Sequence, residues 1–141
     1  FARDNVAMST HVVGYALLDM IQRDNPEMDL YRLLRTGGRS PSVLFSDLAS
    51  ETERVIEALR HSRRGPRLSE SLSQDPQAVV TDALRAFSSY HTRAAAVRRG
   101  ERVFHEDRNL LLYYGNRLKG YDLGRTLASS AVASHAGGPQ A

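Results

Sequence analysis

Five histidines, His11, His61, His91, His105 and His135, are the residues of this chain best suited to move protons or hold a metal. A histidine base needs a substrate proton within reach, and a zinc site needs three or four ligands converging on one point. His91 and His105 flank a turn-rich stretch with no carboxylate constellation around them, which is weak metal evidence. In His105-Glu106-Asp107 three ligating residue types stand in a row. Neighbouring side chains point in different directions, so this stretch reads as a turn whose aspartate caps the following helix. His11 lies beside an apolar helical stripe and reads as a structural, buried or half-buried histidine.

Other chemistry is sparse. Cysteine is absent, which excludes a thiolate nucleophile, a disulfide framework and a Cys-type zinc site, and fits a reducing compartment. There is no G-x-S-x-G elbow, no G-x-x-x-x-G-K-[ST] loop and no G-x-G-x-x-G, so no serine nucleophile or phosphate cradle is announced. The residues imply no catalytic group, metal or cofactor. "RTGGRS" combines glycines and arginines, but Gly-Gly after a helix is foremost a C-terminal cap. The basic residues cluster in two turns, Arg63, Arg64 and Arg67, then Arg98, Arg99 and Arg102. The bland reading is solvated surface. The sharper one is contact with an anionic partner: lipid headgroups, an acyl-CoA or nucleic acid.

The elements that must position these residues follow from periodicity. The chain is 141 residues long with a net charge of +3, a domain's worth at most, and too small a positive excess to announce a nucleic-acid binder. No apolar run approaches the ~20 residues of a membrane span. From Val6 to Arg23, Val12, Val13, Ala16, Leu17, Met20 and Ile21 fall on one helical stripe. Asp29 caps a short helix "LYRLLR" that ends at Gly37-Gly38. A third helix runs from about Ser46 to His61, with Leu48, Val55, Ile56 and Leu59 inward and Asp47, Glu51, Glu53, Arg54, Glu57 and Arg60 outward. "HSRRGPRLSESLS" reads as an exposed connection. Asp75-Pro76 opens a fourth helix with Val79, Val80, Ala83, Leu84 and Phe87 on one side. The period then changes, and Gly100 suits a tight turn, so residues from Ala94 to His105 read as a hairpin. A fifth helix, opened by Asp107 or Asn109, carries "NLLLYYGNRL". From Tyr121 the Gly-, Ala- and Ser-rich tail reads as disordered, leaving a helical module over 1–120.

The expected fold is therefore mostly α (α+β), about five helices with one short β hairpin in winged-helix-like order. If it bound DNA, the third helix would enter the major groove. Its carboxylates would then face phosphates, which disfavours nucleic acid as a partner.

Several patches resemble the glycerol-3-phosphate acyltransferase family. "VAMSTHVVGYALLDM" is similar to the helix beginning Met-Ser-Thr-His that follows that family's catalytic domain, matched at Met8, Ser9, Thr10, His11 and Val12. "MDLYRLLRTGG" and "QAVVTDALRAF" resemble its next elements. "LLLYYGNRLKGY" resembles its Tyr-Tyr-x-Asn segment, matched at Tyr113, Tyr114 and Asn116. The patches run from Val6 to about Tyr121, and the Met-Ser-Thr-His stretch leans toward the glycerol-3-phosphate branch rather than the dihydroxyacetone-phosphate one.

The family's catalytic His-x-x-x-x-Asp is absent: the fifth residue after each histidine is Ala16, Pro66, Ala96, Leu110 or Gln140. The resemblance thus implies a non-catalytic segment downstream of the catalytic domain, with Phe1 following it. The parent enzyme would move an acyl group from acyl-CoA or acyl-carrier protein to glycerol 3-phosphate in phospholipid synthesis. Expected partners are the rest of that enzyme, met through Leu112, Tyr113 and Tyr114, and an anionic membrane surface met through the arginine turns, for a peripheral membrane location. The alternative is a winged-helix DNA-binding or protein-interaction module.

Overall fold

A computed structural model describes residues 6–62, 67–90 and 94–121. The elements in chain order are β1 (Val6–Ala7), α1 (Ser9–Asp24), α2 (Leu30–Thr36), β2 (Ser42–Leu44), α3 (Phe45–His61), β3 (Arg67–Leu68), a 3-10 turn (Glu70–Ser73), α4 (Pro76–Tyr90), β4 (Ala96–Arg99), β5 (Arg102–His105), α5 (Arg108–Gly115) and a closing 3-10 turn (Asn116–Tyr121). The mostly α, α+β expectation holds. The expected disordered tail and the residues Arg63, Arg64 and His91 lie outside the described residues.

Each helix boundary has a local cause. α1 begins at Ser9, inside the segment expected from Val6 to Arg23, because Val6 and Ala7 pair in parallel with Arg67 and Leu68 as β1 and β3. At its start the Met8 N–H donates to His11 Nδ1 (3.1 Å), satisfying a donor that the first turn leaves unpaired. At its end the buried Asn25 amide donates to the Ile21 carbonyl (2.8 Å), while its oxygen accepts from the Arg39 N–H (3.0 Å). Gly38 sits against that amide with φ near 76°, and a Cβ there would collide with it. α2 opens on Asp29, which accepts from the Arg32 N–H (2.8 Å), and stops at Gly37, whose φ of 83° is closed to most side chains. Arg108 then reaches back from α5 to the end of α2, donating to the carbonyls of Leu34 (2.9 Å) and Arg35 (3.2 Å).

β2 was not anticipated. "SVL" is too short to show a period, and it pairs with a strand sixty residues on: Val43 lies opposite Val103, and β4 pairs β5 on the other side. The antiparallel order is β2-β5-β4. With helices α1 and α2 ahead of β2, helices α3 and α4 between β2 and β4, and a turn at Gly100-Glu101, the chain keeps a winged-helix-like order. It also corrects the sequence reading. The groove-facing helix of such a fold is the second of the helix pair, which immediately precedes the hairpin. If the chain bound DNA in that way, the helix at the groove would be α4, not the carboxylate-bearing α3.

The core collects the expected stripes. Val12, Val13, Ala16, Leu17, Leu48, Val55, Val79, Val80, Ala83 and Phe87 are fully sealed, joined by Leu72 from the connection expected to be exposed. One member of the expected outer face of α3 also moves inside: Glu51 is only 4% exposed.

Candidate functional site

Two of the four stretches compared with the acyltransferase family, those on α1 and α5, meet in space. α5 is the most extensive partner of α1, and the seam is built on glycines. A Cβ on Gly14 would stand 3.1 Å from Tyr114 Cβ and 3.2 Å from the Leu111 carbonyl oxygen; one on Gly115 would stand 3.1 Å from Tyr15 Cα. The helices approach this closely because neither residue carries a side chain at the crossing. Tyr114 turns inward, its ring 5.3 Å from Phe87 and 6.3 Å from His11. His11 is buried, and its ring is pinned. A backbone N–H can only donate, so the Met8 contact holds Nδ1 unprotonated. Burial, and then the Arg117 guanidinium, hold its ionisation below the usual histidine range. This residue is part of a helix seam, as its place beside the stripe suggested.

Of the residues expected to meet the rest of an enzyme, Tyr114 is thus engaged within this chain. Leu112 is half-buried, and Tyr113 remains 65% exposed, its ring edge-on to Tyr114 at 5.2 Å.

The described arginines of the two basic turns are all exposed, but those of the hairpin are turned back onto the fold. Arg98 lies 3.8 Å over the Phe45 ring and donates to the Gly100 carbonyl (2.7 Å). Arg99 reaches Glu106 at 3.5 Å and sits 5.4 Å from the Phe104 ring. Arg102 donates to the Ser42 hydroxyl (2.6 Å) and carbonyl (3.2 Å). Each guanidinium keeps its charge toward solvent, but its donors are partly spent. Arg67 lies on β3, away from the hairpin in the chain's second, smaller sheet.

The hairpin and α4 border a shallow groove of about 590 Å³, lined among others by Phe45, Asp75, Gln77, Thr81, Arg98 and Glu101. The outward face of α4 is Gln77, Thr81, Arg85, Ser88 and Ser89. One arginine among uncharged polar groups is a modest electrostatic footprint.

Sequence reasoning missed the group most perturbed among the described residues. Glu51, on α3, receives Arg23 Nη2 at 2.7 Å and Arg54 Nη1 at 3.2 Å on its Oε1, while Arg23 Nε also reaches Asp19 at 3.1 Å. Burial is the first cause that pushes the Glu51 carboxyl up, to about 7, and a hydrogen bond with Asp19 is the second. The signal was present in the spacing: Glu51 falls three residues after Leu48 and four before Val55, inside the apolar stripe. Beside it runs a groove of about 460 Å³ between α1, α3 and the β2–β5 edge.

His105 is buried at the end of β5, its Nε2 3.0 Å from the Ser40 carbonyl, and Asp107 caps α5 as expected, accepting from the Leu110 N–H (3.3 Å). Among the described residues no three His, Asp or Glu side chains group as a metal site, and no helix is long and apolar enough to cross a membrane. No protein-family profile, curated protein or solved structure matches the chain.

Proposed function

We propose that this chain is a non-catalytic segment of a glycerol-3-phosphate O-acyltransferase, the helical module that follows the catalytic domain and supports it. In this reading the absent His-x-x-x-x-Asp domain transfers the acyl group from acyl-CoA or acyl-carrier protein to glycerol 3-phosphate. The module packs against it and takes no part in bond-making. The observation that carries the reading is the α1–α5 seam. His11, Gly14, Tyr114 and Gly115 come from the first and last of the family-like stretches, and they pack on one another. Family-like stretches that meet in a helix-to-helix contact are what a structural module would retain. Tyr113, exposed beside Leu112, is the residue of that region left to meet the parent enzyme. Exposed Arg67, Arg98, Arg99 and Arg102 would face an anionic membrane surface.

The test is to read the gene upstream of the codon for Phe1. An in-frame His-x-x-x-x-Asp within a few hundred codons is the expected result. An initiator codon immediately before Phe1, with no such motif, overturns the reading, as does acyl transfer to glycerol 3-phosphate by the 141-residue chain alone.

A second reading, a winged-helix nucleic-acid or protein-interaction module, is favoured by one observation, the strand order β2-β5-β4 around helices α3 and α4. It predicts a gel shift with duplex DNA at low salt that weakens steeply as salt rises and is lost in the Arg98→Ala, Arg99→Ala double variant. No shift at low salt removes it. The spent donors of Arg98 and Arg99 and the lone Arg85 on α4 weigh against it.

A further inference from the structure

Between α1 and α3, one buried carboxyl meets three partly exposed charged side chains in an arrangement that neither reading uses. Glu51 is 4% exposed, and its two carboxyl oxygens differ. Oε1 accepts from two guanidiniums, Arg23 and Arg54. Oε2 is sealed from solvent and has no hydrogen-bond donor. The same Arg23 that grips Glu51 also grips Asp19, so one guanidinium draws two carboxyls to one place. A buried carboxylate oxygen without a donor is costly. A proton on Oε2 removes that cost by turning the oxygen into a donor, and the Asp19 carboxyl, drawn in by the same Arg23, is the acceptor available to it.

We propose that Glu51 and Asp19 form a proton-sharing carboxyl pair that makes the contact between α1 and α3 sensitive to pH.

The surroundings support this. α1 presents Tyr15, Asp19 and Arg23 to Glu51, and α3 presents Arg54. Asp24, Asp47 and Arg102 line the adjoining groove. The two guanidiniums favour the ionised form, but burial and Asp19 outweigh them, so the carboxyl ionises at about 7. Tyr15 responds to the same environment: burial raises its ionisation first, and the charges of Asp19 and Glu51 add to it. A carboxyl raised in the folded state is protonated in both folded and unfolded chains below its ordinary range near 4.5. Its contribution to stability is therefore complete in acid and is lost as pH rises toward 7. Across that window the folded-to-unfolded ratio falls by on the order of a hundredfold from this group alone. Deprotonation leaves Oε2 charged and unpaired, and loosens α3 against α1 beside the groove.

The experiment is urea unfolding of the full 141-residue chain at pH values from 4.5 to 8, wild type against Glu51→Gln. Glutamine keeps the shape and cannot ionise. His11 and His105 titrate in the same window in both proteins and cancel in the difference. The expected result is that wild type loses stability relative to Glu51→Gln as pH rises, by about a hundredfold in the equilibrium ratio; parallel profiles overturn the proposal. Independently of how the variant folds, the carbon-13 shift of the Glu51 carboxyl in the wild type should titrate near neutrality. A midpoint in the ordinary carboxylate range overturns the proposal. In Asp19→Asn that midpoint should fall, and an unchanged midpoint dissolves the pair. None of these outcomes depends on the acyltransferase reading.

Discussion

Two of the interfaces of helix α1, with α5 and with α3, are built in opposite ways. Toward α5 it presents Gly14 and the pinned ring of His11, and receives Gly115 and Tyr114, so that backbone lies almost on backbone. Toward α3 it presents Asp19 and Arg23, and receives Glu51, Arg54 and a core in which the Thr52 hydroxyl has no partner. The first contact depends on shape and is closed to larger side chains. The second holds buried charge whose energy changes with its protons. Dispersion and apolar burial favour the first, and neither depends on a proton. Desolvation opposes the second, and breaking one partner is costlier than replacing the whole cluster. One helix therefore anchors a fixed seam on one side and an adjustable one on the other.

The largest expected effect tests the fixed seam. Tyr114→Ala removes a ring lodged between Phe87 and His11 and should destabilise the chain by about 3 kcal/mol in urea or thermal unfolding. Tyr113→Ala, one residue away and pointing outward, should stay within about 0.5 kcal/mol. Equal losses at the two positions would mean that α5 is rotated from the orientation described, and the contrast between the two sides of α1 would fail with it.

A smaller effect sharpens the comparison through pH. His11 is held below its ordinary range by burial first and by Arg117 second; His105 is held below it by burial, with Arg108 adding and its contact with the Ser40 carbonyl opposing. A histidine lowered in the folded state is neutral in both states above about 6.5 and costs nothing there. As pH falls below that value the unfolded chain takes up the proton first, and stability is lost. This sign is opposite to that of Glu51. His11→Gln keeps an acceptor for the Met8 N–H at the third helical position, where Gln serves as a capping partner, and removes the titration. The acid limb of the stability profile should become shallower in this variant. An unchanged limb would show that His11 does not carry the acid sensitivity of the α5 seam.

The sequence made the helices legible because their signals are local. Asp29 and Gly37 bound α2, Asp75-Pro76 opens α4, Gly100 turns the hairpin and Asp107 caps α5, and each acts within a few residues of itself. β2 was not legible, since three residues have no period and its partner β5 is far along the chain. Which helix a DNA-binding reading would place in the groove was not legible for the same reason, as it depends on the strand order. Glu51 was read as outward because charge was allowed to outrank spacing, although its spacing from Leu48 and Val55 placed it inside. The inward turn of Tyr114 against the outward turn of Tyr113 needed the position of α1, which adjacent aromatic residues do not encode. Nor could the two arginine turns reveal that Arg98 and Arg102 fold back onto Phe45 and Ser42.

The smallest expected effect tests the adjustable side at its uncharged defect. Thr52 is fully buried on α3, and its hydroxyl makes no hydrogen bond. A helical threonine ordinarily returns its hydroxyl to the carbonyl four residues back. Thr36 does so to Arg32 at 2.8 Å, and Thr81 to Gln77 at 3.0 Å. Thr52 forgoes that bond while sealed from water, so its hydroxyl carries a desolvation penalty with no return. Thr52→Val keeps the β-branched shape and a similar helix propensity and replaces the hydroxyl with a methyl group. The variant should be more stable by about 1 kcal/mol. The gain should be the same at pH 5 and pH 8, because the hydroxyl does not titrate. A gain that appears at only one pH would tie the hydroxyl to the proton on Glu51, its neighbour in the chain, and would extend the pair with Asp19 into a network of three.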